Sequence, residues 1–502
     1  MSEPMVVKSD GVTVAERYLQ GLCERSFLSL WSYAGVFNDR GKTGSGDGKE
    51  VCDLLVIFGN DIIIFSDKNC KFLRTAKLDV AWTRWFKTAV LASAIQVFGA
   101  ERWIRDFPDR LFLDRSCTKP FPLQVPNSKE ARFHRIVVAH NSAPQCREEL
   151  GGSGSLAICP RIVGRQHYEN SEAGILPFTI GWVGDVGDFV HVLDDISLDI
   201  LLETLDTITD FVAYLRKKED FIASGRLLHA AGEEELLATY LADINADGEH
   251  DFIFAGDADG VVLAEGLWEN FHNSSQRRAQ IREDKISYAW DDLIETFSKH
   301  AFEGTQYYVS PSGFAGTEKC LRLMAREGRT RRRMLADAFV GLVVKTGDRR
   351  IRATRVLQAA VPGDAYYVFL LLPELPGVPN ELYRETRRHM LEALCMIVRL
   401  KFPDAKDIVG LATETGISES RSEDALYFDG RNWGLNEAAE AERLQRETKL
   451  LTNTTEYRDV VKEYPDPWLA SDGRVPFSVS PNPRNKPYPC GSGKKYKKCH
   501  GK

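Results

Sequence analysis

Apolar Val14, Tyr18, Leu22 and Phe27 recur at helical spacing within residues 11–31, and the run from Trp31 to Phe37 reads as a strand. Two further apolar runs, VCDLLVIF and IIIFSDK, flank Gly59-Asn60-Asp61 and predict a β-hairpin. Residues 80–105 place Trp82, Trp85, Phe86, Ala89, Ser93 and Val97 on one helical face, which predicts a long amphipathic helix packed on the hairpin. Short strand patterns follow at HRIVVAH (134–140) and DFVHVL (188–193), interrupted by the GGSGS loop at 151. The segment 197–222 is again helical. This order of elements predicts a mixed α/β or α+β first domain over residues 1–225. A second α/β region is expected over 226–480, with an acidic helix at EEELLATYLADI, strands at YYVFLLLP and DIVGLATE, and a helix over 380–402. Residues 481–502 form a separate small unit.

The chain has 502 residues, 43% hydrophobic and 27% charged, which excludes a disordered or collagen-like protein. Its 72 acidic and 65 basic residues give a net charge of −7, so contact with a polyanion must come from a local patch. No apolar run is long enough to span a bilayer and the start MSEPMVVKSDG lacks a signal-peptide pattern, so a cytoplasmic protein without membrane contact is expected. Ten cysteines, eight of them widely scattered, point to a reducing compartment with one metal site at the C-terminus.

Several motifs lead nowhere chemical. Gly41-Lys42-Thr43 lacks the upstream glycine of a phosphate loop, where Val36 stands. Asp257-Ala258-Asp259-Gly260 lacks the closing glutamate of a calcium loop. REGRTRRRM (326–334) reads as a solvated helix face before it reads as a phosphate patch. Cys117 with His134 or His140 is expected to be a structural thiol rather than a nucleophile pair, His191 beside Asp194 and Asp195 a structural histidine, and Trp82 and Trp85 core.

The hairpin differs. Alternation puts Asp53 on one face of the first strand and Ser66 and Lys68 on one face of the second. A carboxylate inside an apolar strand calls for a metal ion, a cation or strong hydrogen bonds. The pattern resembles the PD-(D/E)xK nucleases, in particular their nuclease-related branch, where an Asp on one strand and an acid-x-Lys on the next bind Mg²⁺. The resemblance implies a restriction-endonuclease-like fold and a catalytic site of Asp53, Ser66, Asp67, Lys68 and an upstream glutamate. Glu24 or Glu16 on the first helix fits that last role, and Glu50 is close. Mg²⁺ or Mn²⁺ at Asp53 would lower the pKa of a bound water and neutralise the phosphate. Ser66 stands where the family has its second acid, and Asp67 points to the opposite face unless a bulge turns it.

RNKPYPCGSGKKYKKCHG resembles the SEC-C motif, which implies zinc held by Cys490, Cys499 and His500, with Tyr488 in place of the remaining cysteine. From Arg484 to Lys502 there are seven basic residues and no acid, suited to contact with phosphate, ribosome or an acidic protein. The expectation is a metal-dependent nuclease acting on DNA or RNA, in defence against foreign nucleic acid. Two alternatives stand beside it: a non-catalytic adaptor or chaperone-like protein with a degenerate nuclease fold, and a regulator that binds nucleic acid without cutting it.

Overall fold

A computed structural model describes residues 6–42, 46–74, 77–169, 174–254, 260–310, 312–347, 349–374, 376–415, 421–457 and 461–466. Helix α1 (Val14–Phe27) starts at a capping box of Thr13 and Glu16 and buries Leu19, Leu22, Cys23 and Phe27. Strands β1 (Ser32–Asn38), β2 (Lys49–Phe58) and β3 (Asp61–Lys68) form an antiparallel meander. Gly59 makes the predicted hairpin turn at φ +59°, a conformation that costs a side chain-bearing residue. Helices α2 (Leu78–Phe86) and α3 (Ala92–Asp106) run into each other through a widened π turn at Lys87–Leu91, so the helix predicted over 80–105 forms with one irregular turn. Trp82 and Trp85 are buried with ring centroids 5.4 Å apart, and Trp82 also meets Phe178; both indoles are core.

Strand β4 (Leu111–Phe112) borders β1, and β5 (Arg132–Ala139) runs parallel to β3. Helix α4 (Ala143–Leu150), β6 (Ala157–Val163), β7 (Thr179–Trp182) and β8 (His191–Leu193) follow. The first sheet has the order β4-β1-β2-β3-β5-β8. Its central strand β3 is buried from Ile62 to Asp67 and emerges at Lys68. The helix expected over 197–222 is two helices, α5 (Asp195–Thr204) and α6 (Ile208–Ala223). Thr207 separates them because its hydroxyl accepts the Asp210 N–H at 3.1 Å and starts a new helix.

Next come β9 (Leu227–Ala230), α7 (Glu233–Ala242), β10 (Val261–Leu263) and α8 (Leu267–His272). A second sheet, β10-β9-β6-β7, ties strands before residue 225 to strands after it. The compact unit therefore runs to residue 278, and the boundary expected near 225 falls within it. The division lies inside α9 (Ser275–Glu283).

The second unit contains α10 (Tyr288–Glu303), α11 (Phe314–Ala325), α12 (Arg329–Thr346), β11 (Ala353–Leu357), β12 (Tyr366–Leu372), α13 (Asn380–Lys401), β13 (Asp407–Glu414), β14 (Glu423–Asp429) and α14 (Leu435–Thr448). Its sheet has the order β11-β12-β13-β14, with Val368, Leu370, Leu391, Leu394 and Ile408 in its core. The arginine run is not a solvated face. Arg329 and Arg332 bond Asp291 at 2.7 and 2.8 Å, and Arg333 bonds Asp284 at 3.0 Å, all three arginines buried. Acids on the preceding elements neutralise them, which single-chain spacing does not reveal.

Both units mix helices with mixed-direction sheets, so the chain is a mixed α+β protein. Among the described residues no helix is long and apolar enough to cross a membrane.

Candidate hairpin site

The β2–β3 ladder ends with Leu54 opposite Phe65. One step further, the Asp53 carboxylate takes the place of a backbone partner: its Oδ2 accepts the Asp67 N–H at 2.6 Å. Burial pushes the Asp53 carboxyl up to about 6; the Asp67 N–H and the nearby Ser66 hydroxyl oppose that rise, while Glu16 and Asp67 add to it. Glu50, on the same strand, is pushed up to about 7, by burial first and then by Asp53 and Glu16. Three acids thus repel one another at the open end of the hairpin.

Ser66 is fully buried and donates to Gln96 Oε1 on α3 at 3.1 Å. Lys68 is exposed at the end of β3 and forms no ion pair with any described residue. The closed Asp53–Lys68 pair that would signal a purely structural carboxylate is thus not formed among the described residues.

Two expected site residues lie elsewhere. No bulge interrupts β3 along β2 or β5, so Asp67 keeps to the opposite face, where its Oδ1 meets His140 Nε2 at 2.7 Å. His140 Nδ1 in turn meets Asp195, and although burial lowers the imidazole, the two carboxylates hold it up at about 10. Glu24 is occupied by Lys8 and Gln20, each at 3.1 Å. Glu16 is the helix glutamate whose field reaches Asp53 and Glu50. Its carboxylate also accepts the Val12 and Thr13 N–H groups, which ties it to the start of α1.

The donor chemistry at Asp53 and Glu50 fits a hard divalent ion, since Mg²⁺ is commonly held by one or two carboxylates and keeps several waters. A closed shell of three carboxylates is not assembled there. Among the described residues, the acids close enough to share one ion are Glu234, Glu235 and Glu265, and Asp53 is not with them.

The other reactive residues have structural partners. Cys117 is buried with its thiol toward the Asn38 carbonyl at 3.7 Å, and its neighbours include neither histidine. His134 bonds Asp61 at 3.1 Å and His191 bonds Glu219 at 2.8 Å. Sequence reading missed Gln96, although its place between Ser93 and Val97 on the packed helix was a signal. It also missed Asp195 as the second partner of His140, for which no local signal exists.

The class defined so far is a mixed α+β protein with a crowded carboxylate group and, at the same hairpin end, a lysine that no described residue pairs. The SEC-C motif model matches residues 484–502, so the chain carries that motif, commonly a zinc-binding one, at its C-terminus. Cys490, Cys499, His500 and Tyr488 lie outside the described residues. No solved structure matches the chain.

Proposed function

We propose that residues 6–278 form a PD-(D/E)xK-like, restriction-endonuclease-like unit that hydrolyses phosphodiester bonds with Mg²⁺ or Mn²⁺. In this reading the SEC-C tail, holding zinc through Cys490, Cys499 and His500, contacts nucleic acid, ribosome or an acidic protein. One observation carries it: Asp53, whose charge burial and neighbouring acids disfavour, shares a face of adjacent strands with an exposed lysine that forms no ion pair with any described residue. Charge crowding of that kind is relieved by a cation, and an unpaired lysine beside it suits a phosphate. Asp53 and Glu50 would hold the ion, which supplies an activated water and phosphate neutralisation. Lys68 orients the scissile phosphate, and the Ser66–Gln96 bond fixes the strand that carries it. A cytoplasmic setting and a role in defence against foreign nucleic acid suit this activity.

The test is incubation of the purified full chain with single- and double-stranded DNA and RNA, with and without Mn²⁺ or Mg²⁺. Divalent-dependent cleavage that Asp53→Ala and Lys68→Ala each abolish is the expected result. No products, or products that survive both substitutions, refute it.

The second reading, a non-catalytic adaptor, is favoured by Ser66. A fully buried hydroxyl bonded to Gln96 stands where a nuclease of this type needs a carboxylate. That reading predicts salt-dependent binding of nucleic acid or protein without products.

A further inference from the structure

The acidic start of α7 does something the hairpin does not explain. Glu233, Glu234 and Glu235 are 2%, 1% and 1% exposed, three consecutive carboxylates under cover. Glu233 is neutralised: the Lys218 ammonium and the Tyr214 hydroxyl both bond it. The next two are not. Glu234, Glu235 and the exposed Glu265, two residues beyond β10, form no ion pair with any described residue, yet one oxygen from each lies within 4.8 Å of the others.

Hydrogen bonds hold the three in place and leave one buried oxygen over. Glu235 accepts the Gly266 and Trp268 N–H groups, each at 2.9 Å, and Glu265 Oε1 accepts the Ser153 N–H at 2.8 Å. Glu234 Oε1 accepts from the Ser153 hydroxyl, while Glu234 Oε2 is sealed from solvent with no hydrogen-bond partner among the described residues. The buried Ser155 hydroxyl faces Glu234 closely enough to act on it, though no bond of ordinary hydrogen-bond geometry joins it to any described residue. Buried acceptors of this kind are costly unless something positive meets them.

We infer that Glu234, Glu235 and Glu265 bind a hard divalent cation of the calcium, magnesium or manganese class, with the glycine-rich Gly151–Ser155 loop closing one side and Glu265 open to solvent on the other. The spacing suits it, because oxygens at about 2.3–2.6 Å from a common Ca²⁺ lie up to about 5 Å apart. All three ligand residues belong to α7, to the loop after β10 and to no part of the hairpin site. The site ties α7 to the end of β10 and to the Gly151–Ser155 loop, so its role is to brace that part of the unit, independent of any nuclease chemistry.

The experiment is calorimetric titration of the zinc-loaded full chain with CaCl₂, MgCl₂ and MnCl₂ in turn at pH 8, paired with thermal melts. The expected result is binding of at least one ion that persists in Asp53→Ala, a rise in Tm on its addition, and an affinity at that site at least tenfold weaker in Glu234→Gln and in Glu265→Gln. Asp53→Ala should leave that site unchanged, which separates it from an ion at the hairpin. Glu265 is exposed, so its variant reports binding even where Glu234→Gln folds poorly. The inference is overturned if none of the three ions binds, if the glutamine variants bind as tightly as the wild type, or if only Asp53→Ala removes binding. It is also overturned if Glu234→Gln raises the metal-free Tm while the wild type shows no response to any ion, since a proton then does the work of the cation.

Discussion

Asp53→Asn should make this protein more stable at neutral pH in the absence of divalent ions, and the structure gives the size of the effect. Asn keeps an oxygen for the Asp67 N–H that Asp53 now accepts at 2.6 Å, but it carries no charge. Burial raises the Asp53 carboxyl from its usual 3.8 to about 6, so the folded chain holds this proton more tightly than the unfolded chain does. The group's contribution is therefore intact below about pH 4 and is lost as pH rises through about 6. At about 1.4 kcal/mol for each pH unit between those two values, ionised Asp53 costs the fold about 3 kcal/mol at pH 7.5. Solvent at the half-exposed edge and the unmatched Asn amide reduce this, and a gain of about 1–3 kcal/mol is expected for the variant. Urea titrations followed by tryptophan fluorescence at pH 4, 6 and 7.5 measure it. The variant's midpoint should exceed wild type at pH 7.5 and converge on it at pH 4, and Mn²⁺ should raise the wild type by more than it raises the variant. Equal midpoints at pH 7.5, or a gap that does not change with pH, would refute the reasoning.

Other perturbations read other parts of the chain. His140→Ala leaves Asp67 and Asp195 without their shared partner and should cost about 3–5 kcal/mol at pH 6. Because the two carboxylates hold His140 up at about 10, the wild-type advantage should be full below about pH 6.5 and fade as pH rises toward 10 in denaturant titrations, whereas a pH-independent loss would count against the charged pair. Arg332→Ala removes a 1% exposed guanidinium from Asp291 and from the Glu327 carbonyl at 2.8 Å, and should cost at least about 3 kcal/mol. A loss under about 1 kcal/mol by urea titration would show that Arg329 alone suffices for Asp291. Cys490→Ser combined with Cys499→Ser should lower zinc from about one ion per chain to none by elemental analysis; zinc retained in the double variant would exclude these ligands.

What the sequence disclosed follows from the range of the forces involved. The hairpin, the helix over 80–105 and the helix over 380–402 were legible because a single periodicity, reinforced by Gly59 or by a long apolar stripe, sets each of them. The break at Thr207 was local too, but a capping hydroxyl is a weak signal inside a strong helical pattern. Long-range pairings were out of reach. Nothing in REGRTRRRM says that Asp284 and Asp291, some forty residues earlier in chain order, neutralise its arginines, and a run of arginines without visible partners reads as solvated. For the same reason the sheet order that joins β6 to β9 hid the end of the first unit. At the hairpin, strand alternation alone placed Asp53 with Lys68 and turned Asp67 away. Which helix glutamate stood near them depended on Lys8, which draws Glu24 off and leaves Glu16.

The two acidic groups of the first unit also show why a motif and a site are different things. Asp53 was noticed because it interrupts an apolar strand in a pattern that resembles a known chemistry, yet its neighbouring acids do not converge on one point. Glu234 and Glu235 went unnoticed because acids in the first turn of a helix are ordinary there, favoured by the helix dipole. Folding reverses the ranking. Elements brought in from the loop at 151 and the end of β10 close over α7, remove its solvent and leave its carboxylates facing a third. Exposed, those glutamates would need nothing more; buried together without a cation, they demand either a proton or an ion. At the hairpin the same demand is milder, since Glu50 and Asp53 stay partly open to water, and a phosphate with its own counter-ion would satisfy both that demand and Lys68 at once.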